Sequence, residues 1–160
     1  MDRLGQYRII RQLGAGAMGV VWLAEHELLQ VHRAVKVMPE RLAGSEGFRE
    51  RFLQEARVLA RLQHPHIVPV HDMVVEGDSY AIAMDFVSPD GSRSQSLLDL
   101  VGDGTQADAP TRLQSDDVAR IMGETCSAIA FAHEKGVIHR DIKAANVLVG
   151  PGRSEERRVG

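Results

Sequence analysis

The sequence predicts an α+β fold: an antiparallel sheet with one main helix in the first part, then the start of a helical second part. Three observations predict it. Short runs rich in β-branched and aromatic residues, punctuated by glycine and other turn residues, occupy much of residues 7–87. Among them lies one helical stripe, Phe48, Phe52, Ala56, Leu59 and Leu62. A second stripe, Val118, Ile121, Met122, Thr125, Ile129 and Ala132, comes after the strands end.

In order along the chain, Tyr7 to Leu13 leads into a glycine-rich segment, Gly14-x-Gly16-x-x-Gly19-x-Val21, and Val20 to Ala24 leaves it. In a dinucleotide-binding fold such glycines open a helix, but Val20-Val21-Trp22 makes a poor first helical turn, so a hairpin is predicted. Its bare backbone can approach phosphates closely, although the glycines alone read better as an ordinary tight hairpin. A third strand, centred on Ala34 to Met38, carries Lys36 among apolar neighbours. An isolated lysine there would pass for a surface residue of an edge strand. The first helix follows, with Glu55 at the inner edge of its stripe.

Leu62 to Val68 reads as a turn, and the nearby His64, His66 and His71 have no carboxylate or cysteine pattern that supports a metal site. Val70–Val75 and Tyr80–Val87 are predicted strands joined by the turn Glu76-Gly77-Asp78-Ser79. A polar stretch, Ser88 to Ser96, precedes a short helix around Leu97 to Val101 and a loop through Pro110. Ser115 is the expected N-cap of the last helix, with Asp116 and Asp117 favouring its positive end and Gly136 closing it. Cys126, with apolar or small neighbours, is expected to pack inside rather than act as a nucleophile.

Composition narrows the function only by exclusion. A 160-residue chain of net charge −3 gives no sign of nucleic-acid binding. One cysteine excludes an intramolecular disulfide and a cysteine-rich metal cluster, which fits a reducing compartment. Met1 to Tyr7 holds no apolar segment of signal-peptide type, and no run approaches the roughly 20 apolar residues that span a bilayer. A cytoplasmic protein with no membrane segment in this chain is therefore expected.

The most informative stretch is His139-Arg140-Asp141-Ile142-Lys143-Ala144-Ala145-Asn146. It sets an acid, a cation and an amide at spacings suited to hold a nucleotide phosphate, a metal ion and an acceptor hydroxyl in line. Glycine loop, strand lysine and acid-to-amide loop, in that order, resemble the protein kinase family. Leu13 to Ala24 resembles bacterial serine/threonine kinases of the eukaryotic (Hanks) type, and a lysine two places after Asp141 is similar to serine/threonine rather than tyrosine kinases.

The resemblance implies ATP and Mg2+ as cofactors, a protein substrate bearing Ser or Thr, and a role for each matching residue. Lys36, paired with Glu55 across an interval of 19 positions, would meet the α- and β-phosphates. Asp141 would accept or orient the proton of the attacking hydroxyl, Lys143 would neutralise the γ-phosphate, and Asn146 would bind a magnesium ion. Gly14, Gly16 and Gly19 would cover the phosphates. Met84-Asp85-Phe86-Val87 resembles the hinge, where the backbone meets the adenine edge and Met84 limits the pocket's depth. Leu13, Val21, Ala34 and Leu148 would form the apolar adenine slot, though each also suits a plain core position. His139 and Arg140 would be scaffold. Ala144 departs from the proline frequent in that place, a change expected to be tolerated.

A larger departure follows Asp141, after which the chain contains no further aspartate and no phenylalanine. The Asp-Phe-Gly expected to hold the principal metal is thus missing, as is the activation segment. The resemblance covers residues 7–149, with 7–87 as small lobe and hinge and 88–149 as the opening of the large lobe through the catalytic loop. Residues 150–160 turn abruptly to glycine and charge and are expected to be a non-kinase-like tail, either a truncation scar or a native hairpin before a fragment end. Two expectations follow: an ATP-dependent serine/threonine kinase seen as a fragment, nearly inactive and aggregation-prone alone, or a non-catalytic nucleotide-binding pseudokinase or scaffold. A membrane anchor in a longer product stays open.

Overall fold

The computed structural model describes residues 2–16, 19–39, 44–92, 94–101 and 113–150. The expected loop through Pro110 and the tail from Pro151 onward lie outside these residues. Between Phe86 and Val87 the chain divides into two compact units.

The first unit is built on a six-stranded antiparallel sheet: β1 (Arg3–Leu4), β2 (Tyr7–Gly16), β3 (Gly19–His26), β4 (Val31–Val37), β5 (Val70–Glu76) and β6 (Ser79–Asp85), in the spatial order β1-β2-β3-β4-β6-β5. Side chains alternate across a strand, so the register decides which residues share a face. On one face Ala24, Val35, Val37, Val74, Ala81 and Ala83 form a core with Leu4 and Tyr7, both only 2% exposed. The opposite face carries Ile82 and Met84, packed with Met38, Phe52 and Ala56. Val21 pairs with Lys36, Ala34 with Met84 and Lys36 with Ile82, so all five lie on this second face.

The turn between β1 and β2 and the first residue of β2 are tied to side chains of β5. Gly5 N donates to Glu76 Oε2 at 2.8 Å, and Gln6 Nε2 and Tyr7 OH both donate to Asp72 Oδ2. Burial, with the Asp72 carboxylate alongside, pushes the Tyr7 phenol above its usual range.

Helix α1 (Glu46–Leu59) lies against the second face through Phe52 and Ala56. It stops one turn short of its apolar stripe: Ala60 is the C-cap, and Leu62 is buried beyond it in a turn where Arg61 N and Leu62 N donate to the carbonyls three residues back. Strand β6 likewise ends at Asp85 rather than Val87. Asp85 N takes the last sheet-edge bond, 3.1 Å to Pro69 O, and the chain then leaves the unit.

In the second unit, α2 (Leu97–Val101) is capped reciprocally: Ser96 Oγ and N donate to Asp99 Oδ2, and Asp99 N donates back to Ser96 Oγ. Helix α3 (Ser115–Glu134) begins one residue earlier than expected, with Gln114 as N-cap and no side-chain cap bond. Its end is a Schellman turn on Gly136, at φ +75°, with Gly136 N donating to His133 O and Val137 N to Ala132 O. Among its residues only Ile121 is buried. That sparse packing corrects the expectation for Cys126, which is exposed. No helix among the described residues is long and apolar enough to cross a membrane.

Candidate functional site

The glycine segment is a hairpin: β2 and β3 pair antiparallel up to Gly16 opposite Gly19. Its three glycines are not equivalent. A Cβ built on Gly14 or Gly16 would meet nothing within 4 Å, so the fold leaves open space there. At Gly19, where φ is +130°, a Cβ would lie 2.0 Å from Val37 O, inside any allowed contact. Gly19 is therefore required by the sheet, since it rests on the backbone of the strand that carries Lys36. Leu13 is the extra residue of a bulge between the pairs Gln12–Trp22 and Gly14–Val21. Val21 is half-buried, Ala34 buried and Met84 half-buried, on the face already described.

Lys36 Nζ lies 2.8 Å from Glu55 Oε1, and its side chain is 17% exposed, under the ring of Phe52. The contact follows from packing: Phe52 and Ala56 are the buried residues of α1, and Glu55, three residues after Phe52 and so beside it on the helix surface, reaches the strand lysine. Because Glu55 is more than a third exposed, such a pair adds less than about 1 kcal/mol to stability. Its effect is to fix where the ammonium sits.

The second unit holds the acid-to-amide loop. Arg140 sits at φ +65°, an uncommon conformation for a non-glycine residue, and it turns the chain immediately before Asp141. Asp141 N donates to His139 Nδ1 at 3.3 Å. A 3-10 turn over Ala144–Asn146 then brings the amide back: Asn146 Nδ2 donates to Asp141 O at 2.8 Å and to Asp141 Oδ2 at 3.0 Å. Lys143 Nζ lies 2.9 Å from the same Oδ2. Beyond the turn, Leu97 N donates to Val147 O and Val149 N to Gln95 O, with Leu148 bridged to Ser96, so the loop is anchored on the segment that caps α2.

The hydrogen bond from Lys143, then that from Asn146, holds the Asp141 carboxyl below the usual carboxylate range. A lowered folded value means that the fold favours the ionised form; this preference is present above the ordinary value of 3.8 and lost as pH falls through the lower folded one. Carboxyl 13C NMR should place the Asp141 midpoint below 3.8, and Lys143→Ala should return it upward. Both contacts fall on Oδ2, which leaves Oδ1 to receive a proton or orient a hydroxyl.

Asn146 also passes a test of fit for a hard cation. Its Nδ2 is committed to Asp141, so the amide oxygen is the atom left to face an ion. Magnesium sites commonly take only one or two protein oxygens, with phosphate and water supplying the rest. Among the described residues, no group of three or more His, Cys, Asp or Glu is placed to hold a metal. His71 instead meets Asp85 Oδ1 at 2.6 Å.

Sequence reasoning missed three features. The Ser96–Asp99 cap carries a readable signal, serine followed three places later by an acid. The distinct role of Gly19 and the His71–Asp85 contact depend on strand register and carry none.

Residues 7–156 match the protein kinase domain family. The chain belongs to that family. It is 38% identical over 153 residues to the serine/threonine-protein kinase PknF of Mycobacterium tuberculosis, covering 96% of this chain and 30% of PknF. Against the serine/threonine-protein kinase PknJ of Mycobacterium bovis, identity is 40% over 156 residues, covering 96% and 24%. Among solved structures, the M. tuberculosis PknI kinase domain superposes with a TM-score of 0.71 at 34% identity, covering 92% of this chain and 57% of that one. A C20A_R136A double mutant of the PknI kinase domain gives a TM-score of 0.74 at 33% identity. The architecture is thus protein-kinase-like, and the chain spans less than a third of the length of these two curated relatives and just over half of the PknI kinase-domain chain.

Proposed function

We propose that this chain supplies the nucleotide-binding part and the catalytic loop of an ATP-dependent protein serine/threonine kinase, which transfers the γ-phosphate of ATP to a Ser or Thr hydroxyl of a protein. The observation that carries the reading is the loop in which Lys143 and Asn146 both contact the Asp141 carboxylate. Support comes from the Lys36–Glu55 pair and from relatives named serine/threonine-protein kinases.

Phosphoryl transfer spreads charge over the transferring oxygens, so a catalyst acts mainly by positioning and by fixed charge. In this reading the backbone at Gly14 and Gly16 approaches the phosphates while Gly19 anchors the hairpin, and Lys36, aimed by Glu55, meets the α- and β-phosphates. In the first unit Leu13, Val21 and Ala34 meet the adenine and the backbone of Asp85 bonds its edge, with Met84 behind; in the second, Val87 and Leu148 match the family's other adenine contacts. Asp141 orients the attacking hydroxyl and takes its proton, and Lys143 offsets charge on the γ-phosphate. Asn146 would hold a Mg2+ ion, which when bound supplies charge neutralisation at the phosphates.

Lys36→Met is expected to weaken ATP binding about tenfold, as for the loss of a desolvated charge contact, while changing unfolding free energy by less than about 1 kcal/mol. Equilibrium binding beside urea unfolding checks both. The reading fails if the full-length gene product transfers no γ-phosphate from labelled ATP to a protein substrate under any condition in which it binds ATP. That outcome would instead favour the nucleotide-binding module.

A further inference from the structure

We propose that His71 and Arg33 are positioning residues for nucleotide binding, which hold Asp85 so that its backbone carbonyl is set to accept a hydrogen bond from an adenine amino group. The proposal rests on the nucleotide reading above and assigns residues outside the family motifs.

Two cationic or donor groups from different strands converge on one carboxylate oxygen. Arg33 Nη1 on β4 lies 3.3 Å from Asp85 Oδ1, and His71 Nε2 on β5 lies 2.6 Å from the same atom. Arg33 is the direct register partner of Asp85, so its contact is the ordinary cross-strand one. His71 arrives differently. β5 pairs Val70 with Met84 but Asp72 with Ala83, so His71 is the extra residue of a bulge, and such a bulge redirects a side chain.

Asp85 is pinned a third time through its backbone, because its N–H donates to Pro69 O at 3.1 Å. Pro69 has no N–H with which to return that bond, so the Asp85 carbonyl on the same side of the strand can turn to a ligand. Asp85 is also the last residue of β6, and the first unit ends one residue later. The clamp therefore fixes the point at which the rigid sheet gives way to the connecting chain. An exposed ion pair of this kind is a poor stabiliser of the fold, so its consequence should appear in ligand binding rather than in folding.

The test titrates a fluorescent ATP analogue against the wild-type chain and its His71→Ala, His71→Gln and Arg33→Ala variants, and follows amide hydrogen exchange at Asp85. Glutamine can place a donor nitrogen near the position of His71 Nε2. His71→Ala and Arg33→Ala should each weaken binding about fivefold and speed exchange at Asp85, with other core amides unchanged, and His71→Gln should restore affinity to within about twofold. Affinity and exchange indifferent to both alanine changes overturn the proposal while leaving the nucleotide reading intact, as does a glutamine variant no better than alanine. If the wild-type chain binds no nucleotide, the nucleotide reading fails and takes the proposal with it.

Discussion

Replacing Gly19 with alanine is expected to destabilise the first unit by about 3–5 kcal/mol, a loss reserved for overpacking and forbidden backbone conformations. Both causes act at once. The new methyl would stand 2.0 Å from Val37 O, a backbone atom that cannot swing aside, and the residue sits at φ +130°. Alanine at Gly14 or Gly16 meets nothing within 4 Å and should change stability by less than about 1 kcal/mol. Those two changes should act on nucleotide affinity instead, because a methyl there fills space that the bare backbone leaves for phosphates. Urea unfolding and ATP titration of the three variants separate the effects; equal destabilisation by all three would refute the distinction.

Asp141→Asn should lower γ-phosphate transfer by the full-length product by about 10²- to 10⁴-fold, the usual contribution of a general base, with ATP affinity within about twofold of wild type. The substitution keeps the shape of the side chain. It removes the charge that Lys143 contacts at 2.9 Å and the oxygen able to take a proton. Transfer above about a tenth of wild type would show that Asp141 is neither base nor orienting group. Exposure of the group argues against a folding explanation, which circular dichroism of the variant can confirm.

How much of this was legible in the chain differs from element to element. Strands β2, β3 and β4 and helix α1 announce themselves because β-branched runs and a helical stripe have distinct periods, and the Lys36–Glu55 contact follows once Phe52 and Ala56 are known to face inward. The Asp141–Lys143–Asn146 cluster is local in sequence, so spacing alone brings its members near. Less legible were features made by tertiary approach. Nothing in the glycine pattern tells Gly19 from Gly14, because the difference is a carbonyl on another strand. The sequence offers His71 only as a metal-ligand candidate, since the bulge that carries it to Asp85 has no signature. Cys126 is exposed against expectation because apolar neighbours on a helix imply burial only where another element covers them, and α3 buries Ile121 alone. The end of β6 was overrun by two residues because Phe86 and Val87 suit a strand, yet the chain leaves the sheet there.

The family match opens at Tyr7, but the folded unit opens earlier. Leu4 is as deeply sealed as Tyr7, and Gly5 and Gln6 supply two of the links to β5. A protein trimmed to the residues that the family model matches would forfeit the stopper of its own sheet, about 2 kcal/mol for the leucine alone. The stretch matched by the family model and the unit sealed by Leu4 thus have different first residues.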